Sequence, residues 1–322
     1  MKRLPYLIGL CLLFHVPAWC QVQEQLSPTE KKYLSVVTEP LTLYKGFLRV
    51  GFTSAYGVID KIFQEDGSRE SIQGNIIGNS WGMSAFVRYG VTDQLEVEVS
   101  VPYRIESIYQ TVKFELPGID TAFVQQWNTR SNSFGDIDLL VSYRFLQETE
   151  RRPAAGVFIA ATIPTAEKNP TNIDPENPGN YTKPNGYGEV SVLTQLKLRK
   201  INFPFSYNLF LGYKTYFGGT RLLDPEDTEE RPFKSGNYMN AAASFNTHLN
   251  NWIVFKNFLD VTFKQPDEED GVLGQRSWVL FYYPGLSFQI KRFRLDQTIL
   301  LPLMGKLYSA DVSYIMAVQF LF

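Results

Sequence analysis

The last strand of the chain, Tyr314 to Phe322, constrains it more than any other stretch. Counting back from Phe322 in steps of two gives Phe320, Val318, Met316, Tyr314 and Val312, all apolar or aromatic. The positions between them are mixed: Gln319, Ala317, Ile315 and Ser313. Side chains of a strand alternate faces, so one face of this segment suits lipid or a protein core and the other does not. Periodicity alone leaves open the edge strand of a soluble sheet.

The opposite end narrows the choice. Lys2 and Arg3 form a basic start, Leu7 to Val16 is apolar apart from Gly9 and His15, and Ala18-Trp19-Cys20 offers small residues where a signal peptidase reads. The expected signal peptide is 1–20, with cleavage after Cys20; cleavage after Ala18 is the alternative. Both cysteines fall in this segment, so the mature chain is expected to lack disulfides and thiolate sites. No other stretch approaches the roughly 20 apolar residues of a membrane helix. An exported chain without such a helix can still cross a membrane as a closed barrel, in which every backbone group pairs with a neighbouring strand. The Phe322 ending resembles that of bacterial outer-membrane barrels, where it also serves as the signal to the barrel-assembly machinery. The location expected is therefore the outer membrane of a Gram-negative bacterium, with its lipids and lipopolysaccharide as surroundings.

Twelve segments carry the weak alternation of a membrane barrel: 46–57, 80–91, 95–105, 134–146, 155–165, 188–199, 204–217, 236–249, 252–264, 277–290, 293–304 and 311–322. The clearest is Leu95 to Arg104, with every odd position apolar and every even one charged, hydroxylic or proline. Connections alternate in length. The long ones are 58–79, 106–133, 166–187, 218–235 and 265–276; the short ones are 92–94, 147–154, 200–203, 250–251 and 291–292. Long outer loops and short periplasmic turns are the barrel pattern, and only the short connection near Gly305-Lys306 departs from it. The fold class expected is all-β, an antiparallel up-and-down transmembrane barrel of about twelve strands over 45–322. Before it, 21–44 reads as a periplasmic segment. There Ser27-Pro28-Thr29-Glu30 has capping-box spacing, and a short helix over 28–37 either rests in the periplasm or narrows the barrel mouth.

Charges cannot face lipid at mid-membrane without cost, so parity assigns them to the lumen or the rims. The candidate lumen-lining or constriction residues are Arg88, Glu96, Glu98, Arg104, Asp136, Asp138, Arg144, Glu189, Lys214, Lys256 and Asp260. Arg49, Lys197, Arg199, Arg294 and Asp296 share their face. Pairing the third and fourth strands so that positions sum to about 240 sets Arg104 opposite Asp136 and Glu96 opposite Arg144. The 92–94 turn brings Arg88 beside Glu98, and Glu189 can face Lys214. Each such pair contributes about 0.2–1 kcal/mol. Two clusters follow: Arg88, Glu96, Glu98 and Arg144 low, and Arg104, Asp136 and Asp138 high. They either set a field across a pore or knit the wall of a filled barrel.

Other chemistry is sparse. His248, the one histidine beyond the signal, lies by parity with Ser244 and Asn246 on the inward face near the periplasmic rim, which suits a satisfied rim residue better than a catalytic base. The acidic runs Asp224 to Glu230 and Asp267 to Asp270 are solvated loop tips or cation bridges to lipopolysaccharide. No glycine loop for phosphate, metal-ligand cluster or nucleotide fingerprint is present, so no cofactor or metal is expected. Removing Lys2 and Arg3 leaves 29 basic residues against 33 acidic ones, the opposite of a nucleic-acid footprint. Tyr89, Tyr103, Tyr143, Phe145 and Phe263 suit aromatic girdles at the two interfaces. Asn257 and Gln297 interrupt the apolar face of their strands.

Ser133 to Leu146, Ser-Phe-Gly-Asp-Ile-Asp-Leu-Leu-Val-Ser-Tyr-Arg-Phe-Leu, resembles the central signature of the outer-membrane "transporter" barrels named for the meta pathway of phenol degradation. That signature is Gly-Asp, an alternating strand, then Tyr-Arg or Tyr-Lys. Ala161-Thr162-Ile163-Pro164-Thr165 is similar to the family's next strand, with Ala166 in place of its glycine, and Leu301 to Gly305 is similar again. The resemblance implies a barrel of this size that passes small molecules, aromatic or hydrophobic ones among them, and no catalytic residues. The expectation is a monomeric channel or facilitator for passive passage of small organic solutes. The alternatives are a structural or surface-interaction barrel with a closed lumen and, third, an outer-membrane lipid hydrolase.

Overall fold

The computed structural model describes residues 41–322 except 73–76, 116–121, 178, 203, 223–224, 251 and 291, and of 111–126 it describes the backbone only where placed. The expected signal peptide and the 28–37 helix lie outside the described residues.

The alternating segments become twelve antiparallel staves. They are β1 (Leu48–Ile59), β2 (Ile77–Gly90), β3 (Leu95–Glu115), β4 in two pieces (Ala122–Phe134 and Ile137–Leu146), β5 (Ala154–Ile163), β6 (Ser191–Asn202), β7 (Phe205–Tyr216), β8 (Tyr238–His248), β9 (Ile253–Lys264), β10 (Ser277–Ile290), β11 (Phe293–Lys306) and β12 (Ser313–Leu321). Each pairs with its sequence neighbours, and β12 closes on β1, with Arg49 opposite Leu321 and Gly57 opposite Ser313. The closing strand is the amphipathic segment with which the sequence reading began. Its Tyr314 and Phe320 face outward, and the Phe322 amide donates to the Leu48 carbonyl at 2.7 Å. Closure leaves no unpaired edge, which the bilayer would penalise.

Outward faces are apolar as parity requires: Leu209, Leu211 and Tyr213 on β7, and Leu139, Val141 and Tyr143 on β4, are exposed. The outward Asn257 is satisfied within the wall, accepting from the Tyr282 hydroxyl at 2.7 Å and donating to the Phe245 carbonyl at 3.3 Å.

One connection is corrected. The expected loop 106–133 is mostly strand: β3 runs 21 residues, and its upper half pairs with Ala122–Phe134 as a hairpin standing above the wall. The reason is in its sequence, since Ile105, Ile108, Tyr109, Val112 and Phe114 are β-branched or aromatic and favour an extended chain. The two pieces of β4 also explain the registers. Ser100 faces Asp138 below the break and Tyr103 faces Phe134 above it. Glu96 therefore sits opposite Ser142 rather than Arg144, and Arg104 opposite Ser133 rather than Asp136. Against the expected sum of about 240, paired positions add to 238 below the break and 237 above it, the break at Gly135-Asp136 taking up one residue.

Candidate functional site

Inward positions of the staves surround a cavity of about 540 Å³ in the periplasmic half of the lumen. Its wall is uneven. From β5 to β10 the inward side chains include Phe158, Lys197, Phe210, Phe258 and Tyr283. On β1 and β2 the inward positions are mostly small, Gly51, Thr53, Ala55 and Gly57, then Gly78, Ser80, Gly82 and Ser84, apart from Arg49, Phe86 and Arg88 at the periplasmic end. Parity placed the basic residues in the lumen; the sequence reading missed the aromatics that share their face. The signal was available, since Phe210 lies between Asn208 and Gly212, and Phe258 between Lys256 and Asp260, in the inward register.

The rings form a chain. Phe210 and Phe258 have centroids 5.8 Å apart, Phe258 and Tyr283 5.2 Å, Tyr283 and Phe281 5.8 Å, and Phe281 and Tyr308 5.9 Å, at interplanar angles between 58° and 77°. These are edge-on or tilted contacts, which ring quadrupoles favour over sandwich stacking. Lys197 sits between two strands of rings, its Nζ 4.0 Å from the Phe158 centroid and 6.0 Å from that of Phe210. Lower down, Arg294 grips Asp296 through Nε at 2.8 Å and Nη2 at 3.1 Å, and Lys256 bonds the same carboxylate. Arg88 pairs with Glu98 directly across the 92–94 turn, as expected, and lies 3.5 Å from Glu96.

The floor of the cavity is the stretch entering β1. Leu43, Tyr44 and Phe47 are buried together with Leu321 against them. The Leu43 amide donates to Glu96 Oε2 at 2.6 Å, and the Arg144 guanidinium lies 5.0 Å from the Tyr44 ring centroid while donating to the Asp93 carbonyl at 2.6 Å. Glycine makes the fit possible: a Cβ on Gly90 would run into the Tyr44 carbonyl, and one on Gly156 would lie 2.8 Å from Leu41 Cδ2. The low cluster thus holds a piece of chain against the wall at the periplasmic end.

The high cluster does not assemble as expected. Asp136 accepts from the Thr165 and Ala166 amides at 3.0 Å each and from the Tyr187 amide at 3.1 Å. Asp138 accepts from the Thr162 hydroxyl at 2.6 Å. No ion pair joins Arg104 to Asp136 among the described residues; the Arg104 carbonyl accepts from Asn185 at 3.2 Å. Glu189 precedes β6 and does not face Lys214, which stands opposite Leu193. Glu189 instead accepts from the Ser235 amide at 3.0 Å and from its hydroxyl at 2.9 Å, and burial raises its pKa above the usual carboxylate value. Lys214 Nζ lies 4.9 Å from the Tyr216 ring centroid. Asp260 faces inward on β9 with the Asn240 side chain of β8 beside its carboxyl.

The remaining candidates resolve simply. His248 is buried on the inward face near the periplasmic rim as expected, its Nε2 3.2 Å from the Ser206 hydroxyl. The acidic loop residues engage arginines and lysines: Asp227 with Arg231 at 3.0 Å and Asp267 with Lys264 at 2.8 Å. Among the described residues no group of three His, Cys, Asp or Glu is placed to hold a metal.

Two of the three motifs singled out by resemblance meet in space. Thr165 accepts from the Ile137 amide at 3.1 Å while its own amide donates to Asp136, so Gly135-Asp136 and Pro164-Thr165 interlock at the break in β4. No family model matches the sequence, and no curated protein matches it. Among solved structures, the chain is similar to an outer membrane channel from Pseudomonas putida F1, with a TM-score of 0.67 and 13% identity, covering 88% of this chain and 100% of that one. A toluene transporter from Ralstonia pickettii matches at a TM-score of 0.40 and 10% identity, over 87% of this chain and 90% of that one. A monoaromatic hydrocarbon channel matches at 0.43 and 5%, over 87% and 88%. At those two scores the likeness carries no argument. The closed twelve-stave sheet, the apolar exterior and the likeness to the Pseudomonas putida channel fold together make this chain an outer-membrane β-barrel of a Gram-negative bacterium.

Proposed function

We propose that the protein is a monomeric, passive channel or facilitator for small organic molecules, made as a precursor whose signal peptide is removed. The observation that carries this reading is the cavity of about 540 Å³ inside the barrel, within the size range of small-molecule sites and lined by rings and charged groups together. The finer family reading, a barrel of the phenol-degradation type taking aromatic or hydrophobic solutes, rests on the Ser133–Leu146 and Ala161–Thr165 motifs and their contact at Asp136. Lipopolysaccharide and outer-membrane lipid are its surroundings, and the strand ending at Phe322 is its signal for assembly.

A second reading has an observation of its own. Leu43, Tyr44 and Phe47 are buried together at the periplasmic end of the barrel, which supports a lumen narrowed there. Single-channel recording of the purified, folded protein in a planar bilayer separates the two. Discrete conductance steps at a constant voltage are expected; silence from protein shown to be folded by heat-modifiable migration would favour the closed barrel. The hydrolase reading has less support, because His248 meets Ser206 inside the barrel, away from the lipid face where a membrane substrate would lie.

A further inference from the structure

We infer that the lumen beside Asp260 is a binding site for a small organic cation of the alkylammonium class. This rests on the channel reading above, not on the family resemblance, and narrows the channel to a class of solute.

Asp260 differs from the other carboxylates of the inner wall. Glu98, Glu148 and Asp296 are each salt-bridged to a lysine or an arginine. No ion pair joins Asp260 to a cation among the described residues, and only the Asn240 side chain lies beside its carboxyl. Lys214, on the inward face of β7, stands instead over the rings of Tyr216 and Tyr238, 4.9 and 6.0 Å from their centroids, with Asp138 in electrostatic reach. A half-buried carboxylate without a counter-ion is costly to keep charged, and an incoming cation removes that cost.

Charge alone would suit any cation; the rings restrict it. Asp260 follows Phe258 along the inward face of β9 and stands directly opposite Phe281 of β10. Phe281 contacts Tyr283 and Tyr308 at centroid spacings of 5.8 and 5.9 Å. Tyr238, Tyr283 and Tyr308 all lie within electrostatic reach of the Asp260 carboxylate. Phe281 and Tyr308 are fixed from behind, packed on the buried Phe63, Val279 and Ala310. Ring faces attract cations, most strongly where water is excluded, and an alkylammonium group can use rings and carboxylate together. A bare divalent ion would need several oxygen ligands, and no group of three acids or histidines is placed to supply them among the described residues.

The approach is acidic. Connections 218–235 and 265–276 leave the extracellular ends of β7 to β10 and are joined by the pairing of Phe233 with Glu269. Together they hold nine acids to four bases. A surface of one sign above an opening raises the local concentration of solutes of the other.

Choline, its neutral isostere 3,3-dimethylbutan-1-ol and potassium separate charge from shape in equilibrium titrations of the folded protein at low ionic strength. Choline is expected to bind about tenfold or more tighter than either of the others. Asp260→Asn keeps the shape, removes an unpaired charge and is expected to fold; it should bring choline within about threefold of the alcohol. Phe281→Leu keeps an apolar wall without a ring face and should weaken choline while leaving the alcohol nearly unchanged. Tyr308→Leu serves as the second ring variant should Phe281→Leu fail to fold. Equal affinity of the unaltered protein for choline and the alcohol, or choline binding indifferent to Asp260→Asn, would overturn the inference. A protein that conducts but shows no choline preference loses this site and keeps the channel. One that shows the Asp260-dependent preference and never conducts keeps the site and loses the channel.

Discussion

At the periplasmic end of the barrel Glu96 and Arg144 hold one short stretch of chain; at the extracellular end Asp136, Glu106 and Glu189 hold several. The difference lies in what each charge keeps if that chain leaves. Glu96 has Arg88 within 3.5 Å, and Arg144 has the Asp93 carbonyl, so both retain wall partners without Leu43 and Tyr44. Asp136 spends its oxygens on the amides of Thr165, Ala166 and Tyr187, and nothing in the wall replaces them. The segment 166–187 is further fixed by Lys183 on Glu106 at 2.7 Å and by Asn185 on the Ser133 carbonyl at 2.6 Å. Loss of the bound chain therefore leaves fewer unmet polar groups at the periplasmic end than at the extracellular end.

The strongest way to break that contrast is Asp136→Ala. It leaves three backbone donors without their acceptor, and a buried unsatisfied donor costs about 1–3 kcal/mol. Exposure of part of the segment to water limits the loss, so a destabilisation of about 3 kcal/mol is expected in urea unfolding of the detergent-folded protein. Trypsin cleavage after Lys168 should accelerate in the same variant. Unchanged cleavage would mean the top is held elsewhere, and the assignment of Asp136 as its anchor would fall.

Arg144→Ala probes the other end. It removes the guanidinium over Tyr44 and one charge-assisted bond to Asp93, a change of about 1–2 kcal/mol. Stability should fall less than in Asp136→Ala, yet conductance should rise, because the floor loses a contact that holds it at the periplasmic end. Larger or more frequent single-channel steps at fixed voltage are the expected record. A variant as destabilised as Asp136→Ala with unchanged conductance would erase the distinction between the ends.

How much of this was legible beforehand follows from the range over which each signal acts. Parity is local and period two, so the staves, their lipid faces and the inward lysines and arginines could be read directly; Arg88 beside Glu98 needed only a short turn to be counted correctly. Register across β3 and β4 was not legible, because it is shifted by two residues below the break at Gly135-Asp136 and by three above it, which displaces every expected partner. The upper hairpin was mistaken for loop although Ile105, Tyr109 and Phe114 carry strand propensity, since strands were expected to stop at the width of the membrane. The roles of Asp136 and Glu189 were hidden for a different reason: their partners are backbone amides of distant loops, and an amide has no residue type by which a sequence could name it. The lumen aromatics were legible and overlooked, because apolar residues had all been assigned to lipid.

The smallest effect expected sharpens the picture of the extracellular end through its two acids of opposite sign. The carboxyl of Glu230, on the extracellular side, is held down at about 2 by Lys168, 2.6 Å away, and by Thr220 and Asn169, against an ordinary 4.5. Its contribution to order is present above 4.5 and is lost as pH falls from there toward 2. Burial raises Glu189 above the same 4.5, so the fold binds its proton more tightly than the open chain does, and its contribution is lost as pH rises through the folded value. Together they predict that protection of amides 166–190 in hydrogen exchange, corrected for the intrinsic rate, rises as pH falls from neutrality toward 4.5 and declines below it. Glu230→Gln should flatten the acid limb and Glu189→Gln the limb above it. Because Glu230 is solvent-exposed, salt should weaken its limb while leaving that of Glu189 nearly unchanged. A profile that falls steadily from neutral pH downward would show that burial of Glu189 does not govern the top of the barrel, and the order of that end would then rest on Asp136 alone.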